Sequence, residues 1–192
     1  MTRLPRLTPA DLDPAQRELY DAITGGPRAT GPRRVRITDD AGALNGPFNA
    51  MLYAPPVGQG LQGLGAAIRY ETTLSDRVRE MAILAVATHL DSGFERYAHE
   101  PIARAAGVTE EQLEALRRFT LPDLADDERL ALTVVFALLR DGDLNDVTYT
   151  DAVSTIGDRM VFELTALVGY YATLALQLRV FRVTTPAESG QP

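Results

Sequence analysis

From position 81 to 87 the chain reads Met-Ala-Ile-Leu-Ala-Val-Ala, with no polar residue. A helix over this stretch is apolar nearly all round, so it belongs inside a domain rather than on its surface. Ser75 stands as its N-cap, and the helix is expected to run to about Leu90, where Asp91-Ser92-Gly93 interrupts it. A second helix follows, with Gly107 as its C-cap glycine. Upstream, Asp13-Pro14-Ala15-Gln16 puts a capping Asp, a first-turn Pro and a third-position Gln in the order that starts a helix, and Gly25-Gly26 stops it. Residues 27–47 are rich in Gly, Pro and Arg, and 33–38 read as a short strand or an irregular arm. After Pro55-Pro56 a glycine-containing helix is expected over 57–70. Thr109-Glu110-Glu111-Gln112 opens the next, ending near 120–122, and further helices are expected near 126–140, 145–156 and 159–181. The last is apolar on several faces, as suits either a central core helix or one packed against a partner subunit. Residues 184–192 read as a disordered tail. The pattern is that of an all-α fold: a single helical domain over 1–183 with a short irregular N-terminal arm.

Composition narrows the chemistry. At 192 residues and 45% hydrophobic the chain can bury one sizeable core. The net charge of −7 opposes nucleic acid as a partner. There is no Cys, which excludes disulfides, thiolate metal ligands and thiol redox chemistry. All 19 basic residues are Arg, so no lysine Schiff base can form. Two His and no Cys argue against structural zinc, and no metal or cofactor is expected. Residues 1–8 lack the character of a signal peptide. The longest uncharged apolar run, 164–176, is short for a bilayer span, so a soluble, cytoplasmic protein without membrane contact is expected.

The candidate chemistry lies at the junction of the two helices around residue 91. Ser92, Glu95 and His99 are spaced i, i+3 and i+7, hence on one helical face. Glu80, on the preceding helix, reaches that face if the two helices fold back on each other. A carboxylate beside an imidazole raises its pKa and fixes its tautomer, as a proton shuttle requires. The same residues have plainer readings: Ser92-x-x-Glu95 is also a capping box, Glu80 can pair with a surface Arg such as Arg77, and His99 can be a hydrogen-bonded core residue. Pro101 either bends the helix and frees the Tyr97 carbonyl, or starts a new helical segment. His89 fits a packed histidine, and Glu163 a first-turn partner of the helix dipole. Arg28, Arg33, Arg34 and Arg36 cluster in the irregular arm and suit either solvent, a subunit bridge or a carboxylate ligand. Asn49 and Arg69 are further candidate pocket contacts.

The order Arg79-Glu80, an apolar helix, then Phe94-Glu95-x-Tyr97-x-His99 followed by Ala103-x-x-x-Gly107 resembles the carboxymuconolactone decarboxylase and alkylhydroperoxidase-D superfamily. The peroxidase branch carries Glu, eleven residues, Cys, two residues, Cys, three residues, His. Here that spacing is held by Glu80, Ser92, Glu95 and His99, with Ser and Glu in place of both cysteines. The resemblance extends over most of the chain, including Gly46-Pro47-Phe48-Asn49 and the Tyr170-Tyr171 helix. It implies an alkylhydroperoxidase-D-like helical bundle, a homo-oligomer (trimer or hexamer), and a cofactor-independent decarboxylase acting on a small carboxylated lactone or similar unsaturated acid. His99, Glu95 and Glu80 are then the expected catalytic residues: His99 the proton donor, Glu95 its orienting partner and Glu80 a second acid–base group. Ser92, Tyr97, Asn49, Arg69 and Tyr170 are the expected substrate contacts. A related isomerase or cyclase and a non-catalytic oligomeric binding protein are the alternatives, and thiol peroxidase chemistry is disfavoured by the missing cysteines.

Overall fold

The computed structural model describes residues 2–26 and 36–185. Arg28, Arg33, Arg34, the start of the expected arm and all but the first residues of the expected tail therefore lie outside the described residues. Within them the chain forms a 3₁₀ turn (Pro9–Asp11) and the helices α1 (Pro14–Gly25), α2 (Phe48–Met51), α3 (Pro55–Tyr70), α4 (Asp76–His89), α5 (Gly93–Ala105), α6 (Glu110–Arg117), α7 (Asp126–Asp141) and α8 (Asp146–Val180). Of the stretch 33–38 only 36–38 are described, and these hold no strand but an isolated bridge between Thr38 and Leu44.

The chain divides into two compact units, residues 1–67 with 176–192 and residues 68–175. In the first, α1 begins with the expected capping box: Asp13 accepts from Gln16 N at 2.8 Å and Gln16 returns the bond to Asp13 N at 3.0 Å. The N-terminal segment is tied down by side chains. The Asn49 amide accepts from Leu7 N at 3.0 Å and donates to the Pro5 carbonyl at 3.0 Å, and the Tyr53 hydroxyl donates to the same carbonyl at 2.7 Å. Gly58 has a packing role: a Cβ there would lie 2.5 Å from the Met51 carbonyl and 2.6 Å from Leu19 Cδ2.

In the second unit α4 is the centre. Every residue from Val78 to Ala87 is buried, and α5, α6 and α7 pack against it. This is the physical reason for its lack of a polar face. Ser75 caps it by accepting from Val78 N at 3.2 Å. The link to α5 is tight, with Asp91 at φ 50° and Ser92 N donating to the Ala87 carbonyl at 2.7 Å. Asp is among the few residues that tolerate this left-handed backbone. α5 continues through Pro101 without a new start, so the reading of Pro101 as the first residue of a separate segment does not hold.

The two helices expected at 145–156 and 159–181 are the two arms of α8, which is interrupted by Gly157 at φ 79°, ψ 157°. Only glycine adopts this backbone without strain, and a Cβ at Gly157 would meet no atom within 4 Å. Gly157→Ala should therefore destabilise through backbone strain alone, by about 1–3 kcal/mol in urea unfolding. Just beyond, Glu163 is buried rather than serving the helix dipole. Its carboxylate accepts from Thr73 N at 2.9 Å, from the Thr73 hydroxyl at 2.6 Å and from Arg159 Nε at 2.9 Å. Burial opposes its charge, but these donors prevail and hold its pKa below the usual value. By length and composition α8 is apolar enough to cross a bilayer when a window containing charged residues is allowed, and half of that window is buried within the fold.

Candidate active site

The central feature of the second unit is one imidazole between two carboxylates. α4 carries Glu80 inside its buried run, fully shielded from solvent, while Ser92, just before α5, and Glu95 and His99 on α5 are all buried. His99 Nδ1 lies 2.7 Å from Glu80 Oε2, and His99 Nε2 lies 3.3 Å from Glu95 Oε2. Because α4 and α5 pack on each other, Glu80 reaches the Ser92–Glu95–His99 face. The shorter contact belongs to Glu80, so Glu80 is the closer orienting partner, and Glu95 sits on the opposite nitrogen.

The charge state follows from the surroundings. Burial opposes protonation of His99, but the Glu80 carboxylate, its hydrogen bond and the Glu95 carboxylate outweigh it and raise the pKa from 6.5 to about 9. Burial likewise disfavours the Glu80 anion, yet His99, then Arg69 and Arg79, hold its carboxyl below the usual range. At neutral pH the pair is a carboxylate and an imidazolium whose two N–H groups both face carboxylates.

Several polar atoms around this pair have no hydrogen-bond partner: Glu80 Oε1, Glu95 Oε1, Ser92 Oγ and Arg79 Nε. Arg79 Nε approaches Glu80 Oε1 only to 3.6 Å, and its terminal nitrogen is engaged by Asp76 at 2.6 Å. The capping-box reading of Ser92-x-x-Glu95 fails, since Ser92 makes no capping hydrogen bond and Glu95 is turned to His99. The reading of Glu80 as a surface partner of Arg77 fails too, because Arg77 binds Glu128 at 2.7 Å.

The other candidates separate clearly. Arg69, at the end of α3, is half-buried and close enough for its charge to act on Glu80 and Tyr171. Tyr170 is buried with its ring edge-on to Tyr171, centroids 5.1 Å apart. Tyr97 is not brought in: two residues from both Glu95 and His99 along α5, it is 41% exposed. Asn49 lies in the first unit, with both ends of its amide used on Leu7 and Pro5. Its role there is to fasten the N-terminal segment. His89 is exposed and leans on the Phe119 ring at 5.0 Å instead of packing inside. Arg36 pairs with Asp40 at 2.7 Å on the surface.

One residue of this cluster escapes the sequence pattern. Tyr171 is buried with its ring edge-on to His99, centroids 5.5 Å apart at 89°. Burial, then the Glu95 and Glu80 carboxylates, raise its phenol well above the usual pKa, so it remains a neutral O–H. In a helix apolar on several faces, neighbouring Tyr170 and Tyr171 give equal signals, and only the packing shows which one meets His99. Among the described residues no group of three His, Cys, Asp or Glu side chains is arranged to hold a metal.

Residues 55–137 match the sequence profile of the carboxymuconolactone decarboxylase family, and the stretch contains Glu80, Ser92, Glu95 and His99. Over this stretch the chain is similar to that family. Outside it, the likeness is carried by structure. The alkylhydroperoxidase AhpD core of an uncharacterized peroxidase-related protein from Ralstonia eutropha JMP134 superposes with a TM-score of 0.73 at 14% identity, covering 97% of this chain and 93% of that one. A cysteine-to-alanine variant of the debrominase Bmp8 in complex with 2,3,4-tribromopyrrole gives 0.70 at 14% identity, covering 96% and 91%. The apo debrominase gives 0.67 at 14% identity, covering 93% and 89%. No curated protein sequence matches the chain. The fold is thus the AhpD-like all-α fold, and the stretch that matches the carboxymuconolactone decarboxylase profile carries the buried carboxylate–imidazole cluster.

Proposed function

We propose that the chain is a carbon–carbon lyase of the carboxymuconolactone decarboxylase kind, acting on a small unsaturated acid or carboxylated lactone by acid–base catalysis through Glu80, His99 and Glu95. The observation that carries this reading is the His99 imidazole held between two buried carboxylates, each of which keeps an oxygen with no hydrogen-bond partner. A structural ion pair gains nothing from such an oxygen, whereas a group that exchanges a proton with a ligand needs it. A thiol route of the peroxidase kind is closed by the absence of Cys. The debrominase neighbour binds a small planar ring compound, and a substrate of similar size and planarity suits the reading proposed here.

The chemistry follows from the charges. The substrate carboxylate is anchored by the Arg69 guanidinium, which has no ion-pair partner among the described residues. The bond to the departing carboxylate breaks, carbon dioxide leaves, and the electron pair runs into the conjugated carbonyl to give a dienolate. A proton then returns to carbon. His99 stores it at neutral pH, passing it from Nε2 to Glu95 Oε2, and the carboxyl of Glu95 presents it to the substrate. Solvent then reprotonates the relay, so one proton is consumed per turnover. Glu80 holds the imidazole at Nδ1 throughout.

The test is release of carbon dioxide and loss of lactone absorbance with carboxymuconolactone, wild type beside Glu95→Gln. The expected result is turnover in the wild type and a loss of about 10²–10⁴-fold in the variant. No turnover by the folded wild type, or equal turnover in both proteins, would overturn the reading.

A further inference from the structure

We infer that Tyr171 is a second catalytic group of this site, the hydrogen-bond donor to the substrate carbonyl oxygen on which negative charge collects. The inference rests on the acid–base reading above and adds what that relay lacks. The electron pair released by the broken bond must come to rest on an oxygen, and two carboxylates beside it repel such an oxyanion. His99 cannot answer that oxygen directly, because both of its nitrogens are engaged, by Glu80 at 2.7 Å and by Glu95 at 3.3 Å. A donor that is neutral, buried and adjacent to the imidazole is required.

Tyr171 meets each condition. It is 6% exposed, and its ring stands edge-on to His99 at 5.5 Å, with Tyr170 edge-on behind it at 5.1 Å. Two perpendicular ring contacts fix the phenol in place, so no reorganisation is needed when charge develops. The side chain is buried, and its hydroxyl makes no hydrogen bond among the described residues, so it is free to donate. The ring contact sets Tyr171 against the imidazole that Glu80 and Glu95 hold, and the charges of Glu95, Glu80 and Arg69 act on it. Burial first, and then the two carboxylates, keep the O–H neutral, so it donates a hydrogen bond without giving up its proton, and the charge stays on the substrate. The ligand class that satisfies the site is a planar enolisable carbonyl compound with a carboxylate: carbonyl oxygen toward Tyr171, reacting carbon toward Glu95, carboxylate toward Arg69.

The experiment pairs turnover of carboxymuconolactone with binding of tetronic acid, a small lactone that carries an enolate at rest, in wild type and Tyr171→Phe. Phenylalanine keeps both ring contacts and removes only an unpartnered hydroxyl, so the variant should fold with an unchanged or raised Tm. The expected result is a drop in kcat of about 10²–10³-fold, tetronate affinity weaker by about 10- to 100-fold, and an unmoved His99 titration by NMR. Wild-type kinetics and tetronate affinity in Tyr171→Phe would overturn the inference alone and leave the relay standing. A lowered Tm together with a shifted His99 titration would also overturn it, since Tyr171 would then act through the imidazole. A wild type that binds tetronate without turning over lactone would overturn decarboxylation, and Tyr171 would be judged by binding alone. A wild type that does neither would overturn both.

Discussion

Replacing Glu80 by Ala is expected to lower the unfolding free energy by about 3–5 kcal/mol, the usual cost of removing one partner from a buried ion pair. Glu80 has no exposed surface, and it holds the shorter of the two contacts to His99 at 2.7 Å. Its loss leaves a buried imidazole with only the 3.3 Å contact to Glu95, and leaves Arg79 without the carboxylate 3.6 Å away. A cavity opens in the most tightly enclosed helix of the unit as well. Urea unfolding at neutral pH measures the effect, and a change under about 1 kcal/mol would mean that the pair contributes little net stability.

The pH dependence of stability gives the same pair a second signature. The folded-state pKa of His99 lies above its ordinary value, raised from 6.5 to about 9. Its contribution is therefore fully present below pH 6.5 and is lost as pH rises through about 9. Glu80 shifts the other way, so its contribution is present above its ordinary pKa and is lost as pH falls through the lowered one. The wild type should thus lose stability on the alkaline side across the His99 window, and Glu80→Ala should flatten that slope.

How far this was legible in the chain differs between fold and site. The helices came from punctuation and periodicity: Asp13 with Gln16, Ser75, Asp91-Ser92-Gly93 and Thr109 with Gln112 all mark starts that the structure keeps. Gly157 fell between two expected helices, and its positive φ is the physical reason they are separate arms. Ser92, Glu95 and His99 could be grouped because helical spacing is local information. That Glu80 joins them depends on how α4 packs on α5, which spacing permits but does not require. The weaker expectations failed for the same reason. Tyr97 sits inside the motif but on the wrong side of α5, Asn49 serves the N-terminal segment, and His89 lies on the surface. Tyr171 was missed because choosing it over Tyr170 requires the rotation of α8 against α5, a tertiary quantity. Hydrogen-bond partners such as Thr73 for Glu163, far away in the chain, were beyond sequence reasoning for the same cause.

His99→Gln should cost about 10²–10⁴-fold in kcat with carboxymuconolactone, the ordinary value of a positioned acid–base group, while the protein stays folded. Glutamine can donate toward one carboxylate and keeps polar contact across the pocket, but it holds no proton to transfer. The more decisive measurement is the pH profile of the wild type. If the imidazolium stores the proton, activity persists as pH rises past the ordinary histidine range and falls only through about 9, where His99 loses its charge. That limb belongs to the coupled cluster of Glu80, His99 and Glu95 rather than to one side chain, so changing a neighbour must move it. Glu80→Gln removes the nearest charge that favours the imidazolium and should shift the alkaline limb toward lower pH, whereas a profile unmoved by Glu80→Gln would separate the observed limb from His99. A His99→Gln enzyme with undiminished kcat would assign the proton to another donor and leave the buried pair a structural role only.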